Sequence, residues 1–472
     1  MAGPRCLFEQ WIGCRADIGR SVPGAVWCRC HSLDCVPTVT NTPGRAHVVV
    51  ERWRARGAEV DFLCTAEGRT FRESFRFPGE VDEPVAAVLD LLAMVAAVSY
   101  AKAFAPCIVE APEIALTSAG RALVESAFAE GMAEFAHTTG IVDPILLGDT
   151  AHRPAAPIAP PVGESPGRPL IPVGGGRDSC VVATALDALD PILLSVGGSD
   201  AARRVASRLG STLVVVDRTI DPAVLDLNAA GAPNGHIPIT AITMLASIVS
   251  AGLLGSPVVV MANEASASNP TRIVGGRAIN HQHSKSLAFE MLLVAALHSI
   301  GSSVACVSAL RNRTDTEIAR VFAVHCAPLH AEFVSCNRAG VRDASRRSAR
   351  WCGACAKCRS ITLSLAPHMT PAAVTAILGV DLLDDPSQVE GFADLLDEER
   401  KPFECVQTVD EARAAIGVLA SSSVWSNHAV VRHLAHSSGP VPLAGPAREG
   451  SHGALGDHVP PAVREAMDGF FA

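Results

Sequence analysis

Residues 170–179 read LIPVGGGRDS. A short apolar run enters three glycines, then an arginine, an acid and a hydroxyl, and a helical pattern follows through Leu189. Glycines between a strand and a helix let peptide N–H groups approach an anion with no Cβ in the way. The first helical turn adds its own free N–H groups and dipole. Gly174, Gly175, Gly176, Arg177, Asp178 and Ser179 are therefore the candidate phosphate-binding loop. Ser179 adds a hydroxyl donor. Asp178 does not suit a bare anion but suits a phosphate that arrives with Mg²⁺. No lysine follows the glycines, so the GxxxxGK[ST] pattern is absent, as is GxGxxG. The plain alternative is a glycine turn between strand and helix.

Outward from this loop the chain alternates strand and helix. Apolar runs PILLSV (191–196), TLVVV (212–216, ending at Asp217), PVVVMA (257–262, ending at Asn263) and SVACVSA (303–309) are separated by helical stretches. The fold class expected for 170–380 is α/β, a doubly wound parallel sheet covered on both faces, with ligands at the carboxyl ends of its strands. Residues 46–150 predict a smaller α+β domain. VVVERWRA (48–55) and AEVDFLC (58–64) alternate like an antiparallel pair. Pro84 opens a helix with Val85, Val88, Leu89, Leu92 and Val95 on one face, and a second helix spans about 118–136. Six prolines within 154–169 predict a stiff linker over 151–169. Residues 1–45 read as an irregular extension. Residues 381–472 read as a helical region, with a capping box at Thr408 and Glu411 and a mobile Gly/Pro-rich tail over about 436–461.

Composition narrows the function classes. The 472 residues are 49% hydrophobic, which excludes disorder for the chain as a whole. Lys+Arg is 39 against Asp+Glu 48, a net charge of −9, which argues against nucleic acid or an anionic membrane as partner. The longest uncharged stretch, 237–262, is interrupted by Gly252, Gly255 and Pro257 and reads as a buried helix followed by a buried strand. The first 20 residues carry charges and no apolar core, and the 15 cysteines are an odd number. A reduced, cytoplasmic setting with thiols or metal ligands is expected.

GGGRDS resembles the S-G-G-x-D-S pyrophosphate loop of the PP-loop ATPases, with Gly174 where that family has serine. NGHIPIT (234–240), NEASASNPT (263–271) and GGRAINHQHSKSLAFE (275–290), taken with CGACAKC (352–358), are together similar to the UDP-N-acetylmuramoyl-L-alanyl-L-glutamate epimerases. The resemblance covers most of 170–360 and extends more weakly into both flanks. It implies an ATP- and Mg²⁺-dependent inversion of the terminal L-glutamate of UDP-MurNAc-L-Ala-L-Glu, placed after an L-glutamate-adding ligase of the same pathway. The chemistry is coherent. Adenylating a carboxylate removes its charge and makes its carbonyl an electron sink, so a modest base can take the α-proton, and return from the other face inverts the centre.

Such a site needs a base, an acid and cations. If Asn280 starts a helix, His281 and Lys285 share one face, and His283, Ser286 and Glu290 another. His236 and Glu264 stand near strand ends. His236, His281 and His283 are the base or acid candidates, with Glu264 beside them. Lys285 and Arg277 are the anion contacts, and Glu290 is a further substrate contact. Each taken singly could equally be a capping histidine, a solvated cation or a paired glutamate.

Cys352, Cys355 and Cys358 form C-x₂-C-x₂-C, with Cys336 upstream. Four thiolates suit a structural Zn²⁺; an iron–sulfur cluster or free buried thiols are the alternatives. Cys28, Cys30, His31 and Cys35 are a less regular metal candidate. Arg338, Arg342, Arg346, Arg347 and Arg350 could meet a UDP diphosphate, in a rival reading a tRNA backbone, or form a solvated face. Two rival functions stand beside the first: another PP-loop adenylating enzyme, such as a zinc-bearing nucleobase or tRNA modifier, and a non-catalytic nucleotide-binding protein. A tRNA modifier calls for a basic appendage, and neither flank is basic.

Overall fold

A computed structural model describes residues 44–156, 167–341, 347–435 and 459–472. The strands, in chain order, are β1 (Ala46–Val50), β2 (Arg54–Arg56), β3 (Glu59–Ala66), β4 (Arg69–Arg76), β5 (Cys107–Leu116), β6 (Ile145–His152), β7 (Leu170–Pro172), β8 (Ile192–Val196), β9 (Leu213–Thr219), β10 (Val258–Glu264), β11 (Arg272–Val274), β12 (Arg277–Ile279) and β13 (Ala305–Leu310). Eleven of them form one sheet in the order β13-β10-β7-β8-β9-β4-β3-β1-β5-β6, with β2 on the flank of β3; β11 and β12 are a separate hairpin.

The class is α/β as expected, but the sheet is mixed rather than wholly parallel. β13, β10, β7, β8 and β9 run parallel. β9 then pairs antiparallel with β4, with Ser74 opposite Thr219 and Arg76 opposite Asp217. The strands expected as a separate N-terminal domain thus continue the same sheet across 151–169. Their expected antiparallel pairing is present, with Val50 opposite Cys64. The tight turn at Glu67 and Gly68, both with positive φ, sends β4 back along β3 and frees its outer edge for β9. Arg218 donates to Glu73 at 2.6 Å across this seam, with both side chains buried.

Both faces of the parallel half are covered, and the alternation of its strands records this. Leu170, Leu194, Val259 and Cys306 pack with the helices Ala86–Ala96, Ile239–Leu254 and Leu287–Ser299. Ile171, Leu193, Val258, Val260 and Val307 pack with Arg177–Ala185, Asp315–His325, Ala356–Leu365 and Val409–Ala420. The helix from Pro84 is buried all round from Val88 to Ala96 rather than along one stripe. The apolar stretch Glu83–Phe104 is long enough to cross a membrane, but it lies inside this core.

Two helices differ from expectation. The stretch about 118–136 is two helices, Ser118–Ala129 and Ala133–Thr139, and the turn between them requires glycine at 131, where a Cβ would sit 2.3 Å from the Ala127 carbonyl. Residue 280 does not begin a helix either. Ser286 caps Leu287–Ser299 by accepting from the Phe289 N–H, and 280–285 is a turn with a short 3₁₀ segment, His283–Lys285. The capping box at Thr408 and Glu411 is present. The N-terminal cysteine cluster with His31, Arg342, Arg346 and most of the Gly/Pro-rich tail lie outside the described residues.

Candidate active site at the carboxyl edge of the sheet

The chain runs from β7 through β8 to β9 in one direction, then returns to β10 and β13 on the other side of β7. This reversal opens a crevice between β7 and β10 at their carboxyl ends. Three neighbouring strands deliver acids to it. Asp178 follows β7, Glu264 ends β10 and Asp315 follows β13.

The glycine loop is built as its sequence implies. Gly175 has φ +86, and a Cβ on it would lie 2.5 Å from the Ala201 backbone. Gly176 caps the helix Arg177–Ala185. The loop carbonyls are occupied: Ser199 Oγ donates to Gly174 O, Val334 N to Gly175 O, and Ser179 Oγ to Gly176 O. The N–H groups of Gly174, Gly175 and Gly176 have no protein partner among the described residues, so they are the groups left for an anion. Gly174 is exposed, and a Cβ there meets nothing within 4 Å. We expect Gly174→Ala to be tolerated and Gly175→Ala to cost about 3 kcal/mol or more, because strained φ and a backbone clash act together. Equal melting temperatures for the two variants would contradict this.

Arg177 was expected to touch the nucleotide; its guanidinium is engaged by protein side chains. It is 1% exposed, donates to both Asp315 oxygens at 2.6 and 3.2 Å and to Asp178 Oδ1 at 2.8 Å, and reaches Ser364. A buried guanidinium needs these partners. Its role is to fix the Asp178 carboxylate, whose side chain is 29% exposed. Although burial acts to raise Asp178, Arg177, Lys357 and Lys285 outweigh it and hold the carboxyl below its ordinary range. Glu264 behaves oppositely. Burial, then Asp315 and Asp178, push it up to about 8. Its Oε1 accepts from Ser266 at 2.7 Å, and its buried Oε2 has no partner among the described residues. An unpartnered carboxylate oxygen facing two further acids fits Mg²⁺, which would neutralise the repulsion. Asp178 and Glu264 are the residues that would hold it.

The histidines separate into two groups. His281 Nδ1 meets Glu134 Oε2 in a short hydrogen bond, and His236 Nδ1 lies 3.7 Å from the same oxygen. The two imidazoles are 4.4 Å apart. His283 turns away, with Nε2 2.8 Å from Ser126 Oγ and its ring edge-on to Phe289. Because 280–286 is a turn, the helical spacing expected for His281 and Lys285 does not hold, yet both side chains still meet, at Cys405. Lys285 Nζ donates to the Cys405 Sγ at 3.2 Å, and His281 interacts electrostatically with the same thiol. Lys357 Nζ donates to the Cys405 carbonyl.

These contacts set the charge states. Burial alone would raise the Cys405 thiol, but Lys285 and His281 pull it down to about 6. Burial alone would lower His281, but Cys405 and Glu134 raise it to about 9. His236 is pushed down to about 4 by burial and by the neighbouring His281. The site at neutral pH is therefore a thiolate–imidazolium pair beside a neutral imidazole, with Lys285 interacting with Cys405, Asp178 and Glu264. Glu134 and Cys405 were absent from the residues picked out in the sequence. Neither lies in a motif, and Glu134 is 147 positions from His281.

Glu290 and Arg277 were expected at the substrate. Glu290 is 1% exposed and accepts from Arg311 at 2.6 Å and from the Ser308 hydroxyl and N–H. Arg311 then donates to the carbonyls of Glu264 and Lys285. Glu290 is thus a positioning residue inside the core. Arg277 is exposed at the start of β12 in the β11–β12 hairpin, four residues before His281. Arg347 and Arg350 donate to the backbone carbonyls of Val341 and Ala331.

The chain matches two family models, the MurL N-terminal domain over residues 52–308 and the MurL C-terminal domain over 332–445. It is 41% identical over 365 residues to a protein of Salinispora tropica, covering 75% of this chain and 78% of that one. It is 42% identical over 357 residues to a protein of a Micromonospora species, with 74% and 78% covered. A protein of Xanthomonas oryzae pv. oryzae is 35% identical over 411 residues, with 84% and 89% covered. All three are named UDP-N-acetyl-alpha-D-muramoyl-L-alanyl-L-glutamate epimerase. No solved structure matches the chain. With both family models matched in order and three relatives aligned over most of their length, the chain belongs to the MurL family.

Proposed function

We propose that this chain is an epimerase that inverts the terminal L-glutamate of UDP-MurNAc-L-Ala-L-Glu to D-glutamate, in the cytoplasm, through an ATP-dependent acyl adenylate. The names of its relatives support the substrate and the reaction class. The free amides of 174–176, with Asp178 beside them, support a nucleotide triphosphate. An L-glutamate-adding ligase would supply the substrate.

One observation carries the proton chemistry: Lys285 donates to the Cys405 thiol, which also interacts with His281, itself bonded to Glu134, and Lys285 joins Cys405 electrostatically to Asp178. In the proposed sequence the glutamate carboxylate attacks the α-phosphorus of ATP, and pyrophosphate leaves. The Cys405 thiolate then takes the α-hydrogen; the S–H bond forms as the Cα–H bond breaks, and the electron pair moves into the adenylated carbonyl. A proton returned to the opposite face inverts the centre. Water then cleaves the mixed anhydride to the D-acid and AMP. Glu134 holds His281 in orientation, and Lys285 keeps Cys405 ionised.

Incubation with ATP, Mg²⁺ and the UDP-linked dipeptide in D₂O should yield AMP, deuterium at the glutamate α-carbon and D-glutamate together. ATP binding with neither AMP nor exchange would favour the non-catalytic reading. AMP with no exchange would point to another adenylating enzyme.

A further inference from the structure

Outside this site, four cysteine sulfurs lie within 4.8 Å of one another: Cys336, Cys352, Cys355 and Cys358. The measured separations are 3.9 Å for Cys336–Cys355, 3.8 Å for Cys352–Cys358 and 3.5 Å for Cys355–Cys358. A tetrahedron of thiolates around Zn²⁺, at a Zn–S bond of about 2.3 Å, has edges of about 3.8 Å. No separation here is that of a disulfide, for which the sulfurs would be about 2.05 Å apart. An iron–sulfur cluster encloses several irons and bridging sulfides, and its protein sulfurs must stand farther apart than these. Apolar packing does not explain the arrangement either, since it has no reason to turn four sulfurs toward one point. Two backbone amides also address the sulfurs: Ala354 N–H points at Cys352 Sγ and Cys358 N–H at Cys355 Sγ, both at 3.4 Å. Such N–H···S bonds stabilise thiolates more than neutral thiols.

We propose that these four cysteines hold one Zn²⁺ and that this centre clamps the glycine loop from behind. The ligands come from two segments, and both touch the loop. Immediately before Cys336, Val334 N–H donates to Gly175 O at 2.8 Å and Ser335 Oγ accepts from Arg177 N–H at 3.2 Å. The helix that begins after Cys355 carries Ser364 to the Arg177 guanidinium at 2.9 Å. Joining Cys336 to that helix closes a loop of chain around Arg177 and the Gly174–Asp178 turn. Zn²⁺, with a filled d shell and no redox chemistry, suits a clamp of this kind. The inference does not depend on the proposed reaction.

The test is metal analysis of the full chain purified without added metal. One zinc per chain is expected, released in proportion to thiol blocking by a mercurial. Cobalt taken up in place of zinc should show the visible bands of tetrahedral thiolate coordination, a readout that requires no variant. Cys352→Ser, at one of the two partly exposed ligands, should lower zinc content at least about tenfold. Cys405→Ser should keep its zinc whatever happens to its isotope exchange, so failure of this inference and failure of the epimerase reading are separable. Zinc well below one per chain in folded protein, iron in its place, a disulfide among the four cysteines, or full zinc in Cys352→Ser would each overturn the proposal.

Discussion

Cys405→Ser should lose α-hydrogen exchange at least about 10³-fold while still forming AMP, because a hydroxyl cannot ionise near neutral pH and a positioned base contributes about 10²–10⁴-fold. Size and shape hardly change, so lost packing does not explain such a loss. In the wild type, exchange needs the thiolate, so it should rise with pH through about 6, the value to which Lys285 and His281 bring Cys405 against burial. The acid limb belongs to Cys405 and should disappear in the residual activity of Cys405→Ser. Reaction with iodoacetamide gives an independent view: Cys405 should be alkylated at pH 7 faster than the buried Cys180, which burial pushes well above the usual thiol range. Exchange within a few fold of wild type in Cys405→Ser would place the base elsewhere, with His236 and His281 next to be tested.

Asp178→Asn should lower AMP formation at least about 10²-fold, the scale set by removing one electrostatic partner of a developing charge. The variant should remain folded. Arg177 keeps both bonds to Asp315 and its bond to Ser364, so its charge is still paired. Asparagine preserves shape and removes only the negative charge. Two readouts separate this role from a structural one. The melting temperature should be close to wild type, and the apparent affinity for Mg²⁺ should fall together with the rate. Wild-type AMP formation by a folded Asp178→Asn would remove the phosphate loop from the mechanism.

The loop and the parallel strands could be read from the chain because their signals are local. A strand, three glycines and a helix start are contiguous at 170–179, and Gly175 takes the left-handed φ that only glycine adopts freely. The apolar strand runs likewise identify themselves by length and by their flanking helices. The cysteines were legible through short spacing, except that Cys336 reaches the other three only by folding. Other features were not local. Arg177 and Glu290 sit in motif-like strings, yet each is spent on a buried partner, Asp315 and Arg311, that follows β13 in the chain. Whether a polar side chain faces a ligand or the core depends on that partner, and no spacing in the sequence reports it.

The amino-acid sequence by itself determined the α/β class, the glycine turn between strand and helix, and the candidate residues on 234–290. Short-range rules govern these: backbone freedom at glycine, apolar periodicity and helix capping. Tertiary structure alone decided that β4 joins β9 and makes one mixed sheet. It also brought Glu134, His281 and Cys405, from three distant parts of the chain, into one interacting cluster. The ionisation of a thiol depends on charges a few ångströms away, and only the folded chain sets that distance.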